Sequence, residues 1–189
     1  MLCRCVLLFF ILCSNLCLSQ TLESSLYSKS NLLNDIKHRK QIESYYLGFS
    51  DIKSNLCLKV DSLFDVCSFN EIVAFINDTS HVLKYYAFQY IASKNDSFAY
   101  EELKRNIWDT TLLFTQQGCY FETMRFNELL VHEYIQFLEF KYCTGGTIGC
   151  NNKVYNYGKP NKKIWRKKRR ELIQLLMKNR MDMQTFKYL

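Results

Sequence analysis

Proline is nearly missing from this chain: Pro160 is the single one, and glycine occurs six times. Folds made of many short strands need both, because glycine supplies positive φ and proline pre-sets turn geometry. Their scarcity disfavours an all-β sandwich or barrel and favours helices. Histidine is limited to His38, His81 and His132. With no CxxC pair and no His cluster, no structural zinc site is expected, and no other cofactor is implied. After the first 20 residues, no run approaches the about 20 apolar residues that a membrane-crossing helix needs.

The N-terminus reads "MLCRCVLLFFILCSNLCLSQ". Arg4 forms a basic start, the apolar core runs from Val6 to about Leu12, and Ser19 is a small residue before Gln20. This is the pattern of a secretory signal peptide over 1–19, with an exported, periplasmic or secreted product. The remainder, about 170 residues, is long enough for one domain with a core of its own. Five cysteines lie beyond the signal: Cys57, Cys67, Cys119, Cys143 and Cys150. In an oxidising compartment short-range bridges are plausible. Cys143 with Cys150 would close the loop "CTGGTIGC", and Cys57 with Cys67 another, leaving Cys119 free.

Helix signals sharpen after a polar stretch. Residues 32–47 have modest helical character, and a short helix is expected around Leu56–Phe64. "SFNE" places Ser68 and Glu71 as a capping box, in which each side chain accepts a backbone N–H otherwise left without a partner. In the next segment Leu83, Ala87, Tyr90 and Ile91 recur at i, i+4, i+7 and i+8, one side of a helix. Asp96 or Ser97 is expected to cap a third helix with Leu103 and Ile107 on its buried stripe, "DTTLLFTQQGC" to break the chain, and a long helix to run from about Glu122 to Lys141.

Two of these segments echo each other. "EIVAFINDT" (71–79) and "ELKRNIWDT" (102–110) share Glu71/Glu102, Ile72/Leu103, Ile76/Ile107 and the Asp-Thr pairs 78–79 and 109–110, at an offset of 31 residues. Periods of this size are typical of stacked helix pairs. Asp78, Leu83, Lys84, Ala87 and Ile91 also match the second-helix consensus of HEAT-like repeats, which this stretch resembles; Tyr90 stands where that family usually has a second small residue. Residues 68–142 are similar to uncharacterised secreted proteins of Bacteroidetes-type bacteria, in which a HEAT-like pair precedes "D-T … Q-x-G-C". Asp109, Thr110, Gln117, Gly118 and Cys119 occupy those places. The resemblance implies an all-α protein, a short HEAT-like α-solenoid of the bacterial envelope with no carried-over catalytic residue. The expected division is a helical domain over 20–142, with its core in 68–142, and a basic loop and helix over 143–189.

Charge is distributed unevenly. Residues 1–139 hold 12 Lys+Arg against 16 Asp+Glu, whereas 140–189 hold 13 against 2; balances of −4 and +11 make the chain's +7. No acidic residue lies between Glu139 and Glu171. After Pro160, Asn161 is placed to cap a helix that is basic at its start and apolar at Leu172, Ile173, Leu175, Leu176 and Met177. Its apolar half is expected to dock. Lys162, Lys163, Arg166, Lys167, Lys168, Arg169 and Arg170, around Trp165, are then offered to an acidic partner. A protein or an anionic envelope surface fits, nucleic acid is disfavoured by the export signal, and no oligomeric state is implied. The alternative is a solvated face that only aids solubility.

Catalytic signals are weak. "HEYIQ" begins like the zinc-protease motif at His132, but Gln136 replaces the second His. Cys119 and His132 are the only candidates for a nucleophile–base pair, the basis of an alternative hydrolase or thiol-enzyme reading. "CTGGTIGC" lacks the Lys-Ser/Thr ending of a phosphate loop. The pattern therefore predicts a non-catalytic binding or scaffold protein.

Overall fold

A computed structural model describes residues 29–47, 52–144, 147–150, 153–156 and 161–179, with the backbone alone over 143–150 and 153–156. The segment read as a signal peptide lies outside the described residues. Helix α1 spans 29–37 and is followed by strands β1 (Gln41–Leu47) and β2 (Ile52–Lys53). Four helices come next: α2 (Asn55–Val66), α3 (Phe69–Phe75), α4 (His81–Lys94) and α5 (Asp96–Arg105). Strands β3 (Leu112–Gly118) and β4 (Tyr120–Arg125) form a hairpin leading directly into α6 (Phe126–Glu139) and a π-helical turn, Phe140–Thr144. A ribbon of β5 (Thr147–Cys150) and β6 (Lys153–Asn156) precedes α7 (Lys162–Lys178).

The fold is therefore mixed α/β, and the all-α solenoid expected from the repeat pattern is incorrect. The overturning element is a four-stranded sheet of order β2-β1-β3-β4, in which β1 and β3 are parallel and the other pairs antiparallel. The 31-residue echo is nevertheless a local structural fact. In both copies the helix ends on buried apolar residues, Ile72 and Ile76 in one, Leu103 and Ile107 in the other. In both, the aspartate then accepts a backbone N–H two residues on: Ser80 N to Asp78 Oδ1 at 2.9 Å and Thr111 N to Asp109 Oδ1 at 3.2 Å. Beyond the turn the two copies diverge. "HVLKYYAF" continues as helix, whereas "LLFTQQG" alternates exposed Leu112 and Phe114 with buried Leu113 and Thr115, the period of a strand. The helix expected from Glu122 starts four residues later for the same reason, because 120–125 pair with β3. "TIGC", expected as a loop, is strand β5.

Helix α4 is the centre of the molecule. Val82, Leu83, Tyr85, Tyr86, Ala87, Phe88, Ile91 and Ala92 are all buried, so it is apolar on nearly every side. It packs on α3, α5, α6 and β1. The capping box forms as expected, with Ser68 N donating to Glu71 Oε2 at 2.8 Å and Glu71 N to Ser68 Oγ at 3.4 Å. Helix α5 is capped by Asn95, one residue before the expected position. The β3–β4 hairpin turns on Gly118 at φ 59°, where a side chain would be unfavourable. The start of α6 is stitched to the preceding turn: Asn127 Nδ2 donates to Ile107 O at 2.8 Å and Phe126 N to Thr111 O at 2.9 Å.

The expected Cys57–Cys67 bridge does not form. Cys57 lies in the first turn of α2 and Cys67 caps its far end, about 15 Å along at 1.5 Å per residue, well beyond disulfide reach. Cys57, Cys67 and Cys119 are free thiols, so the Cys57–Cys67 bridge read from the sequence is withdrawn, while Cys119 is unpaired as expected. The side chains of Cys143 and Cys150 lie outside the described residues. Among the described residues no helix is long and apolar enough to cross a membrane.

Candidate functional site

Helix α7 is built as the sequence suggests at its ends. Asn161 Oδ1 accepts the Ile164 N–H at 3.2 Å, and Leu172 and Leu176 are fully buried against the core, with Trp165 and Leu175 packed beside them. These anchors recur at i, i+7, i+10 and i+11, a single helical face. The basic residues then divide by position. Lys162, Lys163, Arg166, Lys167 and Arg170, at i, i+1, i+4, i+5 and i+8, are exposed on the other side.

Two of the seven expected cations face inward instead. Lys168 Nζ lies 3.1 Å from Asp96 Oδ2 with only 20 % of its side chain exposed. The Arg169 guanidinium lies over the Trp165 ring at 5.5 Å, a cation–π contact. Lys168 and Trp165 are thus docking residues. Asp96 gathers further partners: the Tyr142 hydroxyl donates to Oδ2 at 2.7 Å, and Lys141 Nζ is 3.6 Å from Oδ1. Burial acts to raise the Asp96 pKa, but the Tyr142 hydroxyl, Lys168 and Lys141 together outweigh it and hold it below the ordinary value. Lys167 pairs loosely with Glu171 at 3.8 Å. Among the described residues Lys162, Lys163, Arg166 and Arg170 have no acidic partner.

The residues considered for catalysis are not brought into a working arrangement. Cys119 is at the apex of the β3–β4 hairpin. His132 is on α6, its Nε2 3.2 Å from Gln136 Nε2 and its buried Nδ1 without a hydrogen-bond partner among the described residues. No hydrogen bond joins the two among the described residues. Glu101 and Glu102 diverge, Glu101 to Lys104 at 2.6 Å and buried Glu102 to Arg105 at 2.5 Å. No group of three or more His, Cys, Asp or Glu able to hold a metal ion occurs among the described residues.

Sequence reading missed a cavity of about 240 Å³ bounded by β1, β3, α4 and α6. The signals were present but unassembled: Glu133 and Gln136 lie in the interrupted "HEYIQ" motif, and Tyr85 and Gln89 are one helical turn apart on α4. Beside the cavity, the Tyr86 hydroxyl both accepts from Glu43 N at 3.0 Å and donates to Glu43 O at 2.9 Å. It stands in for a strand neighbour along the part of β1 that β2 does not cover. Cys57 Sγ also donates to Glu43 O at 3.3 Å, and burial pushes its thiol pKa up, the reverse of an activated nucleophile.

No protein-family model matches the sequence, and neither the curated proteins nor the solved structures give a match. The functional reading accordingly rests on the geometry of these surfaces.

Proposed function

We propose that this protein is a non-catalytic binding module whose helix α7 engages an acidic protein surface. The observation that carries the reading is the division of α7 into an anchored face and a cationic face. Buried Leu172 and Leu176 fix the helix, while Lys162, Lys163, Arg166, Lys167 and Arg170 share its exposed side. A pre-set row of cations loses little freedom on binding, which favours specific over diffuse attraction. An anionic bilayer is the weaker candidate. Helices that lie in a membrane interface bury a continuous apolar face there, and the apolar stripe of α7 is already spent on the core. Only Ile164, at 38 % exposure, and Met177, at 65 %, are apolar and exposed on it.

The test is binding of the full chain to poly-L-glutamate, with phosphatidylglycerol-containing vesicles as a second arm. Binding to the polypeptide should fall steeply between low and physiological salt, because exposed charges are screened over about 8–10 Å there. The variant K163Q/R166Q/K167Q/R170Q should bind at least tenfold more weakly without a change in fold. Equal binding by that variant overturns the reading. Capture on vesicles with no binding to poly-L-glutamate replaces the protein surface by a lipid one.

A further inference from the structure

The cavity between the sheet and helices α4 and α6 has an unusual lining. Its lining includes two acidic residues, Glu43 from β1 and Glu133 from α6, and no Lys, Arg or His among the described residues. Three acids elsewhere pair with bases: Asp35 with Lys59 at 2.5 Å, Asp78 with Lys37 at 2.5 Å, Asp96 with Lys168 at 3.1 Å. Glu43 and Glu133 have no basic partner among the described residues. Each is oriented instead by a neutral donor. Ser54 Oγ donates to Glu43 Oε2 at 2.5 Å, and the Tyr85 hydroxyl donates to Glu133 Oε1 at 2.5 Å while accepting from Gln89 Nε2 at 3.0 Å. One hydroxyl donor satisfies only part of a carboxyl group, which can accept up to about four hydrogen bonds.

Two acidic residues around one concave space, with no basic residue among its described lining, favour a positive guest. The rest of the wall suits an organic cation better than a bare metal ion. Leu129, Phe137 and Phe140 supply apolar surface, and the Gln136 side chain carries an amide oxygen able to accept from an ammonium group, whereas that of Gln116 already accepts from Gln41 Nε2 at 2.9 Å. Lys53 and Lys141 lie over the rings of Tyr45 and Phe137 at 5.7 and 5.3 Å, but neither lines the cavity. At about 240 Å³ the space is below the roughly 300–1,000 Å³ of pockets for drug-sized ligands.

We infer that this cavity is a binding site for a small aliphatic amine, with Glu43 and Glu133 as its charge partners and the Leu129–Phe137–Phe140 wall receiving the carbon chain. A short diamine offers one ammonium group for each of the two acids. The cationic face of α7 is a separate surface and plays no part in this site.

The experiment is titration calorimetry on the full chain with 1,4-diaminobutane, set against two isosteres that differ only in charge: 1,4-butanediol, which is neutral, and succinate, which is anionic. The diamine should bind with a saturable isotherm, and the diol and succinate at least tenfold more weakly. E43Q and E133Q keep the shape and the hydrogen bonds from Ser54 and Tyr85, and each should weaken diamine binding at least tenfold; K178Q should leave it unchanged. Equal affinity for diamine and diol overturns the inference, as does no diamine binding up to about 10 mM. The isostere comparison is made on the unaltered chain, so it decides even if E43Q or E133Q fails to fold. Unchanged binding in both folded variants also overturns it.

Discussion

His81 Nε2 lies 2.9 Å from Asp109 Oδ2, joining the first residue of α4 to the turn that ends the second copy of the sequence echo. The His81 ring also meets Phe126 edge-on at 4.9 Å between centroids, so the start of α6 is included. Asp109 does two jobs, since its Oδ1 accepts the Thr111 N–H as well. Replacing His81 by Ala should cost about 1–3 kcal/mol, the range for loss of a partly buried hydrogen bond to a charged group. Asp109→Ala loses the turn bond too and should cost more. Urea unfolding of the two variants checks the order, and an equal or reversed order refutes the double role.

Acid should release helix α7. Asp96, only 15 % exposed, has its pKa held below the ordinary aspartate value, so the stability it contributes is fully present above about pH 4 and is lost as pH falls through the lowered folded-state value. Trp165 fluorescence in a W108F background reports docking. The wild type should show a transition below about pH 4. D96N should dock more weakly at pH 7 and lack that component of the transition. Superimposable acid curves would show that Asp96 does not hold the helix.

The two faces of β3 should respond in opposite ways. Phe114 is 64 % exposed on the outer face of the sheet, so Phe114→Thr should change stability by no more than about 0.5 kcal/mol. Leu113, on the inner face, is 8 % exposed, and Leu113→Ala should cost about 2–5 kcal/mol. Thermal or urea unfolding distinguishes them readily. A large loss at Phe114 would mean that this face is covered in solution.

Thiol labelling should track burial. Cys57 is 7 % exposed and its pKa is raised by burial, whereas Cys119 is half-buried at a hairpin apex. With iodoacetamide at neutral pH, peptide mass analysis should find Cys119 alkylated well before Cys57. Cys57 should react only on the timescale of global unfolding. Early modification of Cys57 would contradict the packing of α2 against β1.

Much of the helical layer was legible because its signals are local. Ser68 and Glu71 three residues apart, Asn161 before a basic amphipathic run, and the apolar spacing from Leu83 to Ile91 each specify structure within two turns. The sheet was illegible for a physical reason. β1 finds its long partner β3 only across α2 to α5, its local partner β2 is just two residues long, and "QIESYYL" shows strand character mainly in its aromatic and β-branched content. The Asp-Thr echo misled because it encodes the end of a helix and a turn, and leaves the next element to the residues after it. On α7 the direction of Lys168 depended on Asp96, whose nearness the sequence could not display. The cavity was hidden likewise, since Glu43 and Glu133 meet only through the tertiary fold.

Parallel pairing of Gln41 with Phe114 and of Glu43 with Gln116 sets an order of assembly. During synthesis from the N-terminus, four helices emerge between β1 and the strand that it must lie beside. Contacts so distant along the chain carry a loop-closure penalty and slow folding. A nascent polypeptide halted before residue 112 can gather its helical layer but leaves one margin of β1 bare, an invitation to pair with another chain. Refolding should therefore reach native helix content well ahead of native strand content.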